Sequence, residues 1–207
     1  MNIRTKRCNA ANHGGRRTQP IEFLVIHYTS NRGDTAKNNA DFFAREITRT
    51  SAHYFVDENE IWQSVPDDTV AWHCGGSRYV HADCRNANAI GIEVCMQDRQ
   101  GKLRQASIDR AARLARALMD RYGIPVERVL RHYDVTHKNC PAPMVEDPAR
   151  WADFRKELNA MKDIPASWAK EAWEKASAAQ VVDGSRPTEP VTRQELAVIL
   201  DRLGLVK

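Results

Sequence analysis

Two histidines and one cysteine, far apart in the chain, are the residues best suited to chemistry. His27 follows the apolar run at residues 21–26, and His132 and Cys140 fall within residues 130–141. Two imidazoles and a thiolate are three ligands of the kind a catalytic zinc takes, whereas a structural zinc is normally closed by a fourth protein ligand. The vacant position would hold water, and a metal-bound water near neutral pH is a hydrolytic nucleophile. With seven histidines and five cysteines in the chain, any one of them taken alone reads equally as a packed or solvated side chain. Their company sharpens the reading. Glu93 lies inside the apolar stretch 89–95, where an acid is costly unless it is paired or functional.

These side chains need elements to carry them. Residues 21–26 read as a buried strand, and residues 35–47 as a helix that buries Ala40, Phe43 and Ile47. Residues 52–56 and 61–65 flank Asp57-Glu58-Asn59-Glu60, which has hairpin-turn composition. Residues 89–96 form the next strand. Ser107 caps a helix whose apolar face is Ala111, Leu114, Ala115, Leu118 and Tyr122, with Gly123 and Pro125 to stop it. A short strand at 129–131 delivers His132. Strands interleaved with helices predict an α/β fold with a mixed central sheet flanked by helices. The polar segment 73–88 has the size and composition of a loop that borders a site or is simply mobile.

Five stretches in order carry a family resemblance: Phe23-Leu24-Val25-Ile26-His27-Tyr28-Thr29, Ser51-Ala52-His53-Tyr54-Phe55-Val56-Asp57, Ala71-Trp72-His73, Ala89-Ile90-Gly91-Ile92-Glu93, and Arg131-His132-Tyr133 with Lys138-Asn139-Cys140-Pro141. Together they resemble the zinc-dependent N-acetylmuramoyl-L-alanine amidases of the type-2 class, whose relatives include prophage endolysins and animal peptidoglycan-recognition proteins. The resemblance implies Zn2+ held by His27, His132 and Cys140. It also implies hydrolysis of the amide between the lactyl group of N-acetylmuramic acid and L-alanine in bacterial peptidoglycan. Where the family places an assisting tyrosine this chain has Ala52, so Glu93 takes that role as proton acceptor and donor, and Lys138 supplies an ammonium near the oxyanion. Trp72 and His73 become candidates for contacting sugar or peptide, a core position being the alternative for Trp72. His53 reads as a satisfied structural histidine and His137 as exposed.

A chain of 207 residues fits one ordinary domain with a small appendage, and needs no disulfide staple to fold. An odd number of irregularly spaced cysteines does not form a disulfide framework, although Cys74 and Cys84 can pair after release. The formal charge of +4 and pI near 8.9 are mild, and the basic residues are interspersed with acids. That pattern excludes nucleic acid as the expected partner and suits either an anionic wall polymer or an ordinary solvated surface. Residues 1–20 are basic and polar, and the first apolar run is too short for a signal peptide or a membrane span. The expectation is cytoplasmic synthesis and action on the cell wall after release, with no membrane partner.

The pattern changes near Asp163-Ile164-Pro165-Ala166, which predicts a catalytic domain over residues 1–162 and a C-terminal helical appendage over 163–207. Residues 168–179 and 193–203 read as two helices, with Thr192 and Glu195 as a capping box. Through Trp168-Ala169, Val182-Asp183-Gly184 and Val191-Thr192-Arg193-Gln194-Glu195 this unit resembles a single S-layer-homology repeat. Such repeats bind wall polymers in sets of three; one copy binds weakly, self-associates or merely packs on the catalytic domain, with wall binding and homo-oligomer formation ranked equally. Two rival functions stand beside the endolysin reading: a cytosolic amidase that recycles muropeptides, and a non-catalytic peptidoglycan-binding protein.

Overall fold

The computed structural model describes residues 1–161, 165, 168–184, 187 and 191–206. The basic N-terminal segment is part of the fold. It supplies strands β1 (Arg4–Thr5) and β2 (His13–Arg16), and Cys8 between them is buried with Val65 and Ala71. Then follow β3 (Phe23–Tyr28), helix α1 (Ala36–Arg45), β4 (Tyr54–Val56), β5 (Ile61–Gln63) and β6 (Thr69–Ala71). Next come β7 (Ala89–Val94), the long helix α2 (Gln105–Tyr122), β8 (Val129–Arg131), and helices α3 (His132–Thr136), α4 (Ala142–Val145) and α5 (Pro148–Met161).

The main sheet has the order β1-β5-β4-β7-β3-β8, and β2 pairs with β6 in a separate two-stranded sheet. Strands β4, β7, β3 and β8 are mutually parallel, whereas β5 is antiparallel to β4. The sheet is therefore mixed, as its alternating elements predict. Parallel central strands are covered on both faces, which is why β3 begins with four consecutive buried apolar residues, Phe23 to Ile26. Helix α1 packs on β4 and β5, and α2 on β7 and β4.

Element ends differ from the sequence reading in instructive ways. Strand β3 runs two residues further than expected, so His27 is inside it. Thr35 caps α1 through its hydroxyl, which accepts from the Asn38 amide, but the helix ends at Arg45. Ile47 consequently lies beyond it and is 65% exposed instead of buried. Phe43 is half-buried and stacks on Phe55. Ser107 sits inside the first turn of α2 and is not its cap; its hydroxyl donates to Glu58. Gly123 does end α2, at φ +65°, a backbone that glycine adopts without strain.

The chain divides into two compact units, Met1–Arg155 and Lys156–Lys207. The expected boundary at 162/163 lies outside the described residues. The second unit contains α6 (Lys170–Ala178) and α7 (Arg193–Arg202), and the capping box of Thr192 with Glu195 is present. Arg202 donates to the carbonyls of Gln180 and Val181, which closes this helical pair. Among the described residues, no helix is long and apolar enough to cross a membrane.

Candidate active site

The parallel register brings the distant motifs together. His27 on β3 is paired with Glu93 on β7, and Ile26 with Arg131 on β8, so His132 emerges immediately beyond the β8 end. All three chemical residues thus lie at the carboxyl ends of neighbouring parallel strands, where α/β sheets place their ligands. Cys140 arrives from a loop that folds back on α3. The Tyr133 amide donates to the Cys140 carbonyl, and the Cys140 amide to the Lys138 carbonyl. His137 ends α3 in the left-handed region at φ 62°, is exposed and stacks on Tyr133, outside the cluster.

Ligand atoms of His27, His132 and Cys140 all lie within 4.8 Å of one another, and all three residues are buried. The orientation of each ring is fixed from behind. His132 Nε2 is 3.0 Å from the Gly75 carbonyl, which can only accept, so that nitrogen carries the hydrogen and Nδ1 keeps its lone pair. Nδ1 is shielded from water and has no hydrogen-bond partner among the described residues. On His27, Nδ1 lies 3.8 Å from Cys140 Sγ and Nε2 lies 3.1 Å from His73 Nδ1. Each histidine therefore rests its Nε2 side on a support and keeps its Nδ1 clear of it, that of His27 beside the thiol and that of His132 without a partner among the described residues.

A cleft of about 450 Å³ opens over this cluster, lined by His27, Cys140, Glu93, Lys138, Trp72 and His73 among others. His132 is 2% exposed and sits behind that surface. Burial pushes the Glu93 carboxyl up to about 7, with the Lys138 ammonium opposing the shift and Asp34 adding to it. Glu93 Oε2 has no hydrogen-bond partner among the described residues. Burial holds His27 well below its usual value, reinforced by the charges of His132 and His73, and takes His132 to about 4. It also raises the Cys140 thiol to about 12, with the Glu93 charge adding to the effect.

Residues 17–143 match the family model for N-acetylmuramoyl-L-alanine amidase. The chain belongs to this family. The N-acetylmuramoyl-L-alanine amidase CwlL of Bacillus licheniformis is 36% identical over 150 residues, 68% of this chain and 41% of CwlL. BlyA of Bacillus subtilis, another amidase, is 34% identical over 159 residues, 70% of this chain and 43% of BlyA. The chain thus spans less than half the length of these curated relatives. The solved catalytic domain of XlyA shares the fold with a TM-score of 0.64 at 27% identity, over 76% of this chain and 99% of that one.

Every candidate residue named from the sequence falls within the amidase match; all but His132 line the cleft, and His132 joins them through its cluster with His27 and Cys140. Trp72 is half-buried on the cleft wall. His73 is only 9% exposed, and besides facing the cleft it backs His27, a position no sequence pattern signalled. His53 is a satisfied structural histidine: the Gly91 amide donates to its Nδ1, and its Nε2 lies 3.2 Å from the Thr69 carbonyl. Asn86 also escaped the sequence reading. Its Oδ1 accepts from the His73 and Cys74 amides and anchors the start of the polar loop. Cys74 and Cys84 are both buried free thiols.

Proposed function

We propose that this chain is a zinc-dependent N-acetylmuramoyl-L-alanine amidase that cleaves the bond between the lactyl group of N-acetylmuramic acid and L-alanine in bacterial peptidoglycan. The observation that carries the reading is the convergence of His27, His132 and Cys140 under a cleft that also presents Glu93 and Lys138, in a chain of the amidase family. Two imidazole nitrogens and one sulfur are the donor set of an open catalytic zinc site. The buried, unpartnered Nδ1 of His132 fits a metal that would accept its lone pair. The chemistry zinc supplies when bound there is Lewis acidity.

The chain's own residues perform the remaining tasks. Glu93 accepts the proton of the attacking water and hands one to the leaving amine, and a carboxyl near 7 exchanges protons readily at neutral pH. Lys138, exposed on the cleft rim, stabilises the developing oxyanion. His73 receives the Nε2 hydrogen of His27 and so holds that ring in the tautomer whose Nδ1 is free, the usual task of a residue behind a metal-binding histidine. Trp72 offers an aromatic face to sugar or peptide.

The C-terminal unit acts as a single S-layer-homology-like repeat appended to the catalytic domain. Helices α6 and α7 bury no residue, and Leu196, Val198 and Leu205 are exposed. Apolar surface of this kind favours pairing with a second copy over binding to a polar wall polymer.

Digestion of purified peptidoglycan followed by mass spectrometry tests the activity. The expected products are free lactyl ends and new L-alanine amino termini; cleavage only at glycosidic or interpeptide bonds would refute the reading. Turbidity loss of intact walls, compared with cleavage of a soluble muropeptide, separates a wall-lysing enzyme from a recycling one.

A further inference from the structure

We propose that Arg49 binds a carboxylate in the peptide part of the substrate and that Asn12 is the positioning residue that holds it there; this rests on the muramyl-peptide substrate proposed above. Arg49 lines the same cleft as Glu93 and Lys138. Its backbone has φ 53°, a region in which a side chain is strained and glycine is not, and such outliers concentrate at ligand-binding positions. The guanidinium is exposed and has no partner among the described residues.

What holds this conformation is Asn12, which is 0% exposed. Its Nδ2 donates to the carbonyls of Phe43 at 3.1 Å and Glu46 at 2.7 Å. Its Oδ1 accepts from the amides of Thr48 at 2.7 Å and Arg49 at 2.9 Å. A buried amide with both donors and both acceptor positions used leaves the 46–49 turn one arrangement. Asn12 precedes the family match, which begins at residue 17, so this support comes from the N-terminal segment.

Charge indicates the ligand. Two cations, Arg49 and Lys138, line the cleft beside one acid, Glu93. In a muramyl peptide the sugar is neutral, and the lactyl carboxyl is consumed in the scissile amide. The negative charge therefore resides on the peptide's own carboxylates. A planar guanidinium engages a carboxylate through two parallel hydrogen bonds, which an ammonium does not reproduce.

The test is calorimetric titration of the full chain with the tripeptide L-alanyl-D-glutamyl-L-lysine and with its amidated form, neither of which carries the scissile bond. The wild type should bind the acid form about tenfold tighter or more. Arg49→Ala and Arg49→Gly should erase that preference, with Arg49→Lys retaining part of it. Arg49→Gly should also keep or raise the melting temperature, because it relieves the backbone; this separates lost binding from lost fold. Asn12→Ala should erase the preference without adding to Arg49→Ala, and should leave the affinity for the amidated peptide unchanged. Equal affinity of the wild type for both peptides, or an undiminished preference in Arg49→Ala, would overturn the carboxylate site. An undiminished preference in folded Asn12→Ala, or an equal loss of affinity for both peptides, would overturn the role of Asn12. A peptide preference without any cleavage of muramyl peptides would refute the amidase reading and leave this site standing.

Discussion

Gly91 and His73 are in contact: a Cβ added at Gly91 would lie 2.5 Å from the His73 ring. The missing side chain on β7 is the space in which His73 stands behind His27. Gly91→Ala should push the imidazole away, and His73→Ala should remove it. Each should weaken zinc binding by about 10- to 100-fold, the scale of losing a partner behind a metal ligand. Competition with a chromogenic chelator measures this, and unchanged affinity in both variants would detach His73 from the metal site.

Zinc uptake at mildly alkaline pH should release at least one proton per protein, one from the Cys140 thiol and a further one where a bound water ionises. Burial, with the Glu93 charge, keeps the Cys140 thiol protonated, whereas His27 and His132 are already neutral because burial depresses both. Calorimetry in buffers of different ionisation enthalpy counts the protons. Release of none would show that the thiol is not a ligand.

Glu93→Gln and Lys138→Ala should each lower turnover on muropeptides by about a hundredfold, the usual scale for a general base or an oxyanion donor. Bound zinc, measured by elemental analysis, should be unchanged. Near wild-type turnover in Glu93→Gln would move the proton-transfer role to another group.

Acid should destabilise the fold through His53. Burial, then the Arg17 charge, takes its pKa to about 3 from 6.5. The unfolded chain therefore binds the extra proton between these values. The stabilising contribution is complete above pH 6.5 and declines as pH falls towards 3, by at most about 1.4 kcal/mol per unit. Urea unfolding across that range should show the slope, and a folded His53 variant should show a shallower one.

Truncation after residue 162 should leave a folded protein that still cleaves small muropeptides, because every motif of the candidate site precedes that point. Light scattering should show a lower molecular mass per particle if the C-terminal unit pairs copies, while sedimentation with walls should report any loss of wall affinity. Identical mass and wall binding would leave that unit without either role.

Much of the site was legible because its residues are chemically rare in their settings: a histidine closing an apolar run, an acid within one, and a cysteine eight positions beyond a second histidine. The mixed sheet was legible from alternating periodicities. What escaped depends on contacts between distant segments. Asn12 and Arg17 lie in a stretch whose composition reads as a solvated tail, yet Arg17 donates to the Ala87, Thr69 and Ala89 carbonyls beside the site. Helix ends depart from the local pattern where a side chain finds a tertiary partner, as Ser107 does with Glu58. Ile47 departs from its expected place because apolarity alone does not extend a helix beyond its last hydrogen-bonded turn.

Strands β3, β7 and β8 are neighbours in space and strangers in sequence, with His27, Glu93 and His132 drawn from all three. Such a site has no local precursor. Loop closure over these separations must be complete before any pair of its groups meets, and parallel pairing of this kind forms late and slowly. A nascent chain that has not yet exposed Cys140 holds at most scattered side chains with no shared pocket. Activity would therefore require synthesis past Cys140, and products that terminate before it would be inert.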